Sequence, residues 1–201
     1  MKTFQSFALS PKMVETLKAL GYKNPTPIQE LVIPKALKGE SLLATSETGS
    51  GKTHAFLIPI LDRIDMNKDE TQALILSPTR ELAYQTFMFL KEFLAYYPSL
   101  TIRLLSSGEE KNKMLGKNKK DAQIVIATPG RLHDLTFDEN AFNVMTAKYV
   151  VLDEADMLTE MGFLKEIDDI LVRLDQPSIF VFSATIADNF VPFLEKYIHP
   201  E

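Results

Sequence analysis

Two short runs about a hundred residues apart carry groups that together suit phosphoryl transfer. In the first, Ser46-Glu47-Thr48-Gly49-Ser50-Gly51-Lys52-Thr53, successive backbone N–H groups can wrap phosphate oxygens, with Lys52 adding a compact positive charge and Thr53 a hydroxyl ligand for Mg²⁺. In the second, Val150-Val151-Leu152 opens onto Asp153-Glu154-Ala155-Asp156, so an apolar strand ends in carboxylates. Asp153 suits holding the metal's water shell, and Glu154 beside it suits orienting and deprotonating an attacking water. Either run alone has an ordinary explanation, a turn before a helix start or a solvated acidic helix end. Ser46 stands where the general phosphate-loop pattern has its first glycine, while Gly49 and Gly51, nearest the phosphates, are kept.

The elements around these runs decide between chemistry and coincidence. Ser41 to Thr45 reads as a short buried strand before the loop and His54 to Ile64 as a helix after it, the strand–loop–helix context that phosphate binding demands. Apolar, β-branched runs recur at Ala73 to Leu76, Ile102 to Leu105, Ile124 to Ala127, Tyr149 to Leu152 and Ile179 to Phe182, with amphipathic stretches between them. Continuous apolar strands alternating with helices predict an α/β fold: a mostly parallel sheet covered on both faces. A helix is expected from Arg80, with Leu82, Phe89, Leu90, Phe93, Leu94 and Tyr97 as its core face and Pro98 as its stop. Since open α/β sheets bind ligands at the carboxyl ends of their strands, the polar loops there become informative. They are the phosphate loop, Ser77 to Leu82, Thr128 to Arg131, the acidic tetrad and Ser183-Ala184-Thr185.

With 201 residues, 45% of them hydrophobic, the chain suits one domain burying roughly 70% of its unfolded surface. It has no cysteine, which rules out disulfides and thiolate metal sites. No signal peptide or run of 18 apolar residues is visible, so the expectation is a soluble cytoplasmic protein with no membrane contact, and the isolated domain is expected to be a monomer. A net charge of −5 argues against coating nucleic acid by bulk electrostatics, so any such contact must be local. Lys111 to Lys120 is the most basic stretch, and without interleaved aromatics it reads first as a solvated helix face or loop. His54, His133 and His199 lack metal-ligand spacing and read as ordinary.

With these residues assembled, the chain resembles the first of the two RecA-like domains of DEAD-box RNA helicases over essentially its whole length. Six segments match in order. Gly21-Tyr22-Lys23-Asn24-Pro25-Thr26-Pro27-Ile28-Gln29 resembles the adenine-reading Q motif, with Phe4 at the aromatic position seventeen residues before Gly21. The others are the phosphate loop, the run from Pro78 through Thr79 and Arg80, the run Thr128-Pro129-Gly130-Arg131, the tetrad, and Ser183-Ala184-Thr185.

The resemblance implies a RecA-like three-layer domain over residues 1–201, with residues 1–38 packed on it as the Q-motif region. It implies ATP as fuel, because one amide side chain at Gln29 presents a donor and an acceptor to the N6–N7 edge of adenine, a discrimination of about 1–3 kcal/mol. Tyr22 or Phe4 would stack on the ring; the alternative is that Phe4 anchors the N-terminal arm and Tyr22 caps a turn. Pro78, Thr79, Arg80, Gly108, Thr128, Pro129, Gly130 and Arg131 would hold the sugar-phosphate backbone of one RNA strand without reading its sequence. The family's Gly-Gly pair is Ser107-Gly108 here, which puts one backbone contact in doubt. For Arg80 the alternative is an intradomain salt bridge. Ser183 and Thr185 would couple the nucleotide site to the RNA-bound state through Asp156, or simply cap a strand end.

The family closes two such domains over ATP and RNA, and only one is present here. His199-Pro200-Glu201 resembles the start of the interdomain linker, and the sequence reads as a cut from a longer protein. Without the second domain's arginines, worth about 10³ to 10⁵ in rate, the fragment is expected to hydrolyse ATP barely. The competing readings are a DNA helicase or translocase on the same engine, and an ATP-dependent scaffold that separates no strands.

Overall fold

The computed structural model describes residues 2–47, 49–106, 112–115, 121–138 and 143–198, with only the backbone of 112–115 and 138. Thr48, Ser107, Gly108 and His199 lie outside the described residues, as do the side chains of the Lys111 to Lys120 run.

Two helices precede the sheet, Pro11–Ala19 (α1) and Pro27–Leu37 (α2), each with proline in its first turn and a hydroxyl cap. Ser10 accepts from the Met13 N–H, and Thr26 exchanges bonds with Gln29 in a capping box. Then follow Leu42–Thr45 (β1), Lys52–Arg63 (α3), Ala73–Leu76 (β2), Arg80–Lys91 (α4), Ile102–Leu105 (β3), Asn112–Leu115 (β4) and Ile124–Ala127 (β5). Pro129–His133 (α5) continues into a π-helical turn over Asp134–Asp138, and the chain proceeds through Tyr149–Leu152 (β6), Ala155–Glu160 (α6), Leu164–Leu171 (α7), Ser178–Ser183 (β7) and Val191–Tyr197 (α8).

The strands form one sheet in the order β1-β7-β6-β2-β5-β3-β4, parallel throughout except for the antiparallel β3–β4 pair. Alternate strand residues feed two cores. Ala73, Ile75, Val151, Phe180 and Phe182 pack under α1 to α4, and Leu74, Leu76, Val150, Leu152 and Val181 pack under α5 to α8. Because both faces are covered, the central strands are apolar at every position, the pattern expected of a parallel sheet. The segment before the sheet belongs to the first core: Phe4, Met13, Leu17, Val32, Ile33 and Ala36 pack there with α3, and Asp62 of α3 accepts from the Ser10 hydroxyl at 2.5 Å.

Three expectations need correction. β1 is an edge strand rather than a buried one, and Leu43 is 36% exposed. The lysine-rich stretch contains β4, whose backbone pairs with β3 rather than forming a helix or loop. Phe89 is 37% exposed and does not belong to the core face of α4, which consists of Ala83, Thr86, Phe87 and Leu90. Residue 89 is rotated about 100° from 90 on a helix, which carries Phe89 away from the sheet.

Candidate functional site

The parallel register brings the carboxyl ends of the strands to one rim: Thr45 pairs with Ser183, and Leu76 with both Leu152 and Ala127. Two depressions open along it. The first, about 410 Å³, is lined by Gly49, Gly51, Lys52 and Thr53 from the phosphate loop and by Asp153 and Glu154 from the tetrad. The two runs that are distant in sequence therefore share one cleft. Lys52 Nζ lies 3.2 Å from Asp153 Oδ1 and also contacts the Glu154 carboxylate.

Local backbone geometry explains the residue types. Gly49 and Gly51 have φ of +82° and +85°, where a side chain is strained. A Cβ on Gly51 would also lie 2.8 Å from both Gln29 Nε2 and Thr26 Oγ1, so the Q-motif segment and the phosphate loop meet at a glycine. Glu154 is left-handed as well, at φ 52° and ψ 53°, immediately before α6. For a non-glycine residue that conformation costs about 1–3 kcal/mol and concentrates at functional sites.

Burial shapes the electrostatics. Burial pulls the Lys52 ammonium down, but the adjacent Asp153 and Glu154 carboxylates outweigh it and hold its pKa above the ordinary lysine value. Asp153 is 4% exposed, and burial pushes its carboxyl above the usual range, only partly countered by Lys52. Asp153 Oδ1 is buried with the Lys52 ammonium beside it at 3.2 Å, and the Ser46 and Ser50 hydroxyls are buried without partners among the described residues. A hard cation takes oxygen ligands, so Thr53 and Asp153 in one cleft, with the buried Ser46 and Ser50 hydroxyls of the phosphate loop left without partners among the described residues, fit Mg²⁺.

Gln29 is 5% exposed and already employed: its Oε1 accepts from the Thr26 N–H at 3.0 Å and its Nε2 donates to the Gly51 carbonyl at 3.1 Å. An amide retains one lone pair and one N–H beyond these bonds, the pair that an adenine edge requires. Pro27 is exposed at the first position of α2. Tyr22 lines the cleft, and Phe4 does not: it is 4% exposed, buried in the core with its ring edge-on to Phe7 at 6.2 Å. Of the two roles open to Phe4, its burial describes the anchor.

Sequence reasoning missed part of this wall. His54 is buried beside the cleft; its Nε2 lies 2.8 Å from the Tyr22 hydroxyl, which donates to Glu92 at 3.2 Å. With that hydroxyl donating to Glu92, Nε2 carries the ring proton. Phe89 meets His54 edge-on at 4.8 Å. Burial lowers the His54 pKa, with Glu92 opposing, and burial followed by Glu92 raises the Tyr22 phenol to about 12. Leu82, Gln85, Thr86 and Phe89 of α4 complete the lining. The signal was available: positions 82, 85, 86 and 89 share a helix face that begins beside the motif at Arg80.

Ser183 and the tetrad are joined directly. The Asp156 N–H donates to Ser183 Oγ at 3.0 Å, that hydroxyl donates to the Thr185 carbonyl, and Thr185 Oγ1 donates to Asp156 Oδ2 at 3.3 Å.

The second depression, about 570 Å³, brings together Pro78, Thr79 and Arg80 with Thr128, Gly130 and Arg131. Pro129 is buried at the start of α5. Thr79 caps α4 through the Leu82 N–H at 3.2 Å, whereas Thr128 Oγ1 is buried with no partner among the described residues. Arg80 is exposed and makes no ion pair among the described residues, against the alternative of an intradomain salt bridge. Glu81, Asp134, Met161 and Phe163, absent from the expected set, also line this groove.

Among the described residues, no helix is long and apolar enough to cross a membrane. A family model described as DEAD/DEAH box helicase matches residues 26–192. The DEAD-box ATP-dependent RNA helicase CshB of Bacillus cereus is 40% identical over 205 residues, covering 100% of this chain and 47% of that protein. CshB of Listeria monocytogenes is 41% identical, covering 97% of this chain and 45% of its own length. The chain thus spans about half the length of the curated relatives it matches. Among solved structures, a DEAD box protein from Methanococcus jannaschii superposes with a TM-score of 0.86 at 33% identity, over 98% of this chain and 54% of that one. Dbp5 of S. cerevisiae, bound to RNA and ADP BeF3, gives 0.84 at 30% identity, over 98% and 50%.

Proposed function

The chain belongs to the DEAD/DEAH box helicase family, and from that premise we propose that it is the ATP- and RNA-holding first RecA-like domain, residues 1–201, of an ATP-dependent RNA helicase. The observation that carries the reading is the shared cleft, where Lys52, Thr53, Asp153 and Glu154 meet at the carboxyl edge of one sheet. ATP enters by exchange: its phosphates take the loop N–H groups and the Lys52 ammonium, and the Glu154 carboxylate is released from Lys52. Thr53 and Asp153 would hold Mg²⁺, which when bound offsets charge on the phosphate oxygens. Glu154 then orients the attacking water and accepts its proton. Gln29 reads the adenine edge and Tyr22 flanks the ring.

In the second groove, Arg80, Arg131, Thr79 and Thr128 take phosphates and 2′-hydroxyls of a single strand, contacts that hold RNA without reading its sequence. Gly108 belongs to the same proposed set, and Asp156, Ser183 and Thr185 connect the two sites. A second RecA-like domain closes over both, consistent with relatives twice this length. The monomeric state and cytoplasmic setting are parts of the same proposal.

The test is RNA-stimulated ATP hydrolysis by the two-domain protein, with Lys52→Ala as control and a matched DNA strand as competitor. RNA should stimulate turnover and DNA should not, while the 201-residue chain alone should stay close to its own Lys52→Ala background. Equal stimulation by DNA defeats the RNA assignment.

A further inference from the structure

The residues proposed to hold RNA account for the arginines and threonines of the second groove and leave Met161 and Phe163 unexplained. Met161 is 49% exposed at the groove, which Phe163 also lines. The backbone that carries Met161 is held by defined hydrogen bonds. The Phe163 N–H donates to the Leu158 carbonyl and the Gly162 N–H to the Thr159 carbonyl, both at 3.1 Å, with Gly162 at φ +78°. That is a Schellman termination of α6, which fixes the Met161-Gly162-Phe163 turn by its own hydrogen bonds. The Phe163 carbonyl accepts from the Ile167 N–H at 3.0 Å, opening α7, and a Cβ added to Gly130 would lie 3.6 Å from the Phe163 ring. The Phe163 ring therefore lies against Gly130 of the Thr128–Arg131 segment.

A single strand held through its phosphates still presents ribose and base faces, and these are apolar enough to leave water when a wall is available. The groove separates the two chemistries. Arg80 and Arg131 attract phosphate, while the carboxylates of Glu81 and Asp134 repel it and suit 2′-OH or base N–H donors. Met161 is unbranched, so it can follow whichever base passes, as sequence-independent binding requires.

We propose that Met161, with Phe163 lining the same groove, is the apolar contact for the ribose and base faces of an RNA strand whose phosphates sit at Arg80 and Arg131. This rests on the RNA reading of the groove. It adds a binding residue outside the polar motifs and assigns it a separable thermodynamic signature, since an apolar contact releases no counterions and leaves the salt dependence of binding untouched.

The test titrates the 201-residue chain, labelled at its methionine methyl groups, with single-stranded oligouridylate over a salt series. The methyl signal that disappears in Met161→Leu identifies Met161. It should shift with the same saturation curve as the overall binding. Met161→Ala should weaken binding roughly fivefold with an unchanged log K against log salt slope, and Met161→Leu should restore most of the loss. Arg131→Ala should instead flatten that slope by about 0.7. If the arginine variant behaves so while the Met161 methyl stays still and Met161→Ala binds like the parent, the apolar-wall inference is overturned and the RNA reading stands. If neither Arg80→Ala nor Arg131→Ala alters binding, or the parent binds no oligouridylate, the RNA reading of the groove itself falls.

Discussion

The proposed nucleotide cleft and the proposed RNA groove lie on the same rim and differ in how their main charged groups are engaged. In the cleft, Lys52, Gln29 and Tyr22 already have partners from the protein: Lys52 with Asp153 and Glu154, Gln29 with Thr26 and Gly51, Tyr22 with His54 and Glu92. In the groove, Arg80 has no ion pair among the described residues and the Thr128 hydroxyl is buried without a partner. A ligand entering the cleft must exchange contacts, so its affinity is a difference between two sets of bonds. A ligand that meets Arg80 and the Thr128 hydroxyl in the groove adds contacts there. On the proposed function, occupancy of the cleft breaks existing contacts at Lys52, whereas a strand in the groove meets Arg80 without breaking an ion pair among the described residues. α6 joins them, with Glu154 immediately before its first residue and Met161 immediately after its last, only about 9 Å of helix.

The sharpest way to break this contrast is Glu154→Gln. Removing the proposed base should lower RNA-stimulated turnover of the two-domain protein by about 10² to 10⁴. The same change removes a competitor for Lys52, so ATP should bind more tightly than to the parent, as read by fluorescent-nucleotide titration. Weaker binding together with lost turnover would mean that Glu154 does not compete with phosphate for Lys52.

Stability separates the two sites next. Lys52→Ala leaves the buried Asp153 carboxylate beside Glu154 without its cation and should destabilise the folded chain by about 3 kcal/mol in urea. Arg80→Ala should change it by less than about 0.5 kcal/mol. Similar losses for both would erase the distinction.

A finer comparison lies within the phosphate loop. Gly49→Ala meets nothing within 4 Å and should suffer only the left-handed backbone penalty of about 1–2 kcal/mol. Gly51→Ala adds a collision with the Gln29 amide and the Thr26 hydroxyl, so it should destabilise further and weaken ATP binding. Equal thermal shifts for the two variants would show that the Gln29 contact carries no weight.

How much of this was legible in the sequence depended on whether a feature is local. β2, β3, β5 and β6 match the expected strands residue for residue: β2, β5 and β6 are buried on both faces and apolar throughout, and β3 keeps the pattern at all but Arg103. β1 has the same composition but sits at the edge, and nothing in Leu42 to Thr45 announces which strand is last in the sheet. β4 is hidden by lysines, since an edge strand tolerates charge that a central one cannot. The phosphate loop and tetrad were legible as chemistry, and the fold alone reveals that Lys52 touches both carboxylates. Phe89 was misplaced because aromaticity suggested core while its angular position on α4 turned it toward the cleft. His54 was passed over for a similar reason: its partner, Tyr22, lies 32 residues away on another element.

That histidine supplies the smallest expected effect and ties the cleft wall to the fold. Burial depresses the His54 pKa below its ordinary 6.5, with Glu92 only partly opposing, so on acidification the unfolded chain takes up the proton before the folded one. With more protons bound in the unfolded state, stability rises with pH in this window. The contribution is therefore present above pH 6.5 and lost as pH falls through that value toward the depressed one. His54→Asn cannot titrate there, so its urea midpoint should fall less than the parent's between pH 7 and pH 5, values bracketing the ordinary histidine range. Parallel midpoint curves for parent and variant would mean that the imidazole is protonated in the folded chain as readily as in the unfolded one, and that the wall of the cleft exchanges with water as freely as the groove.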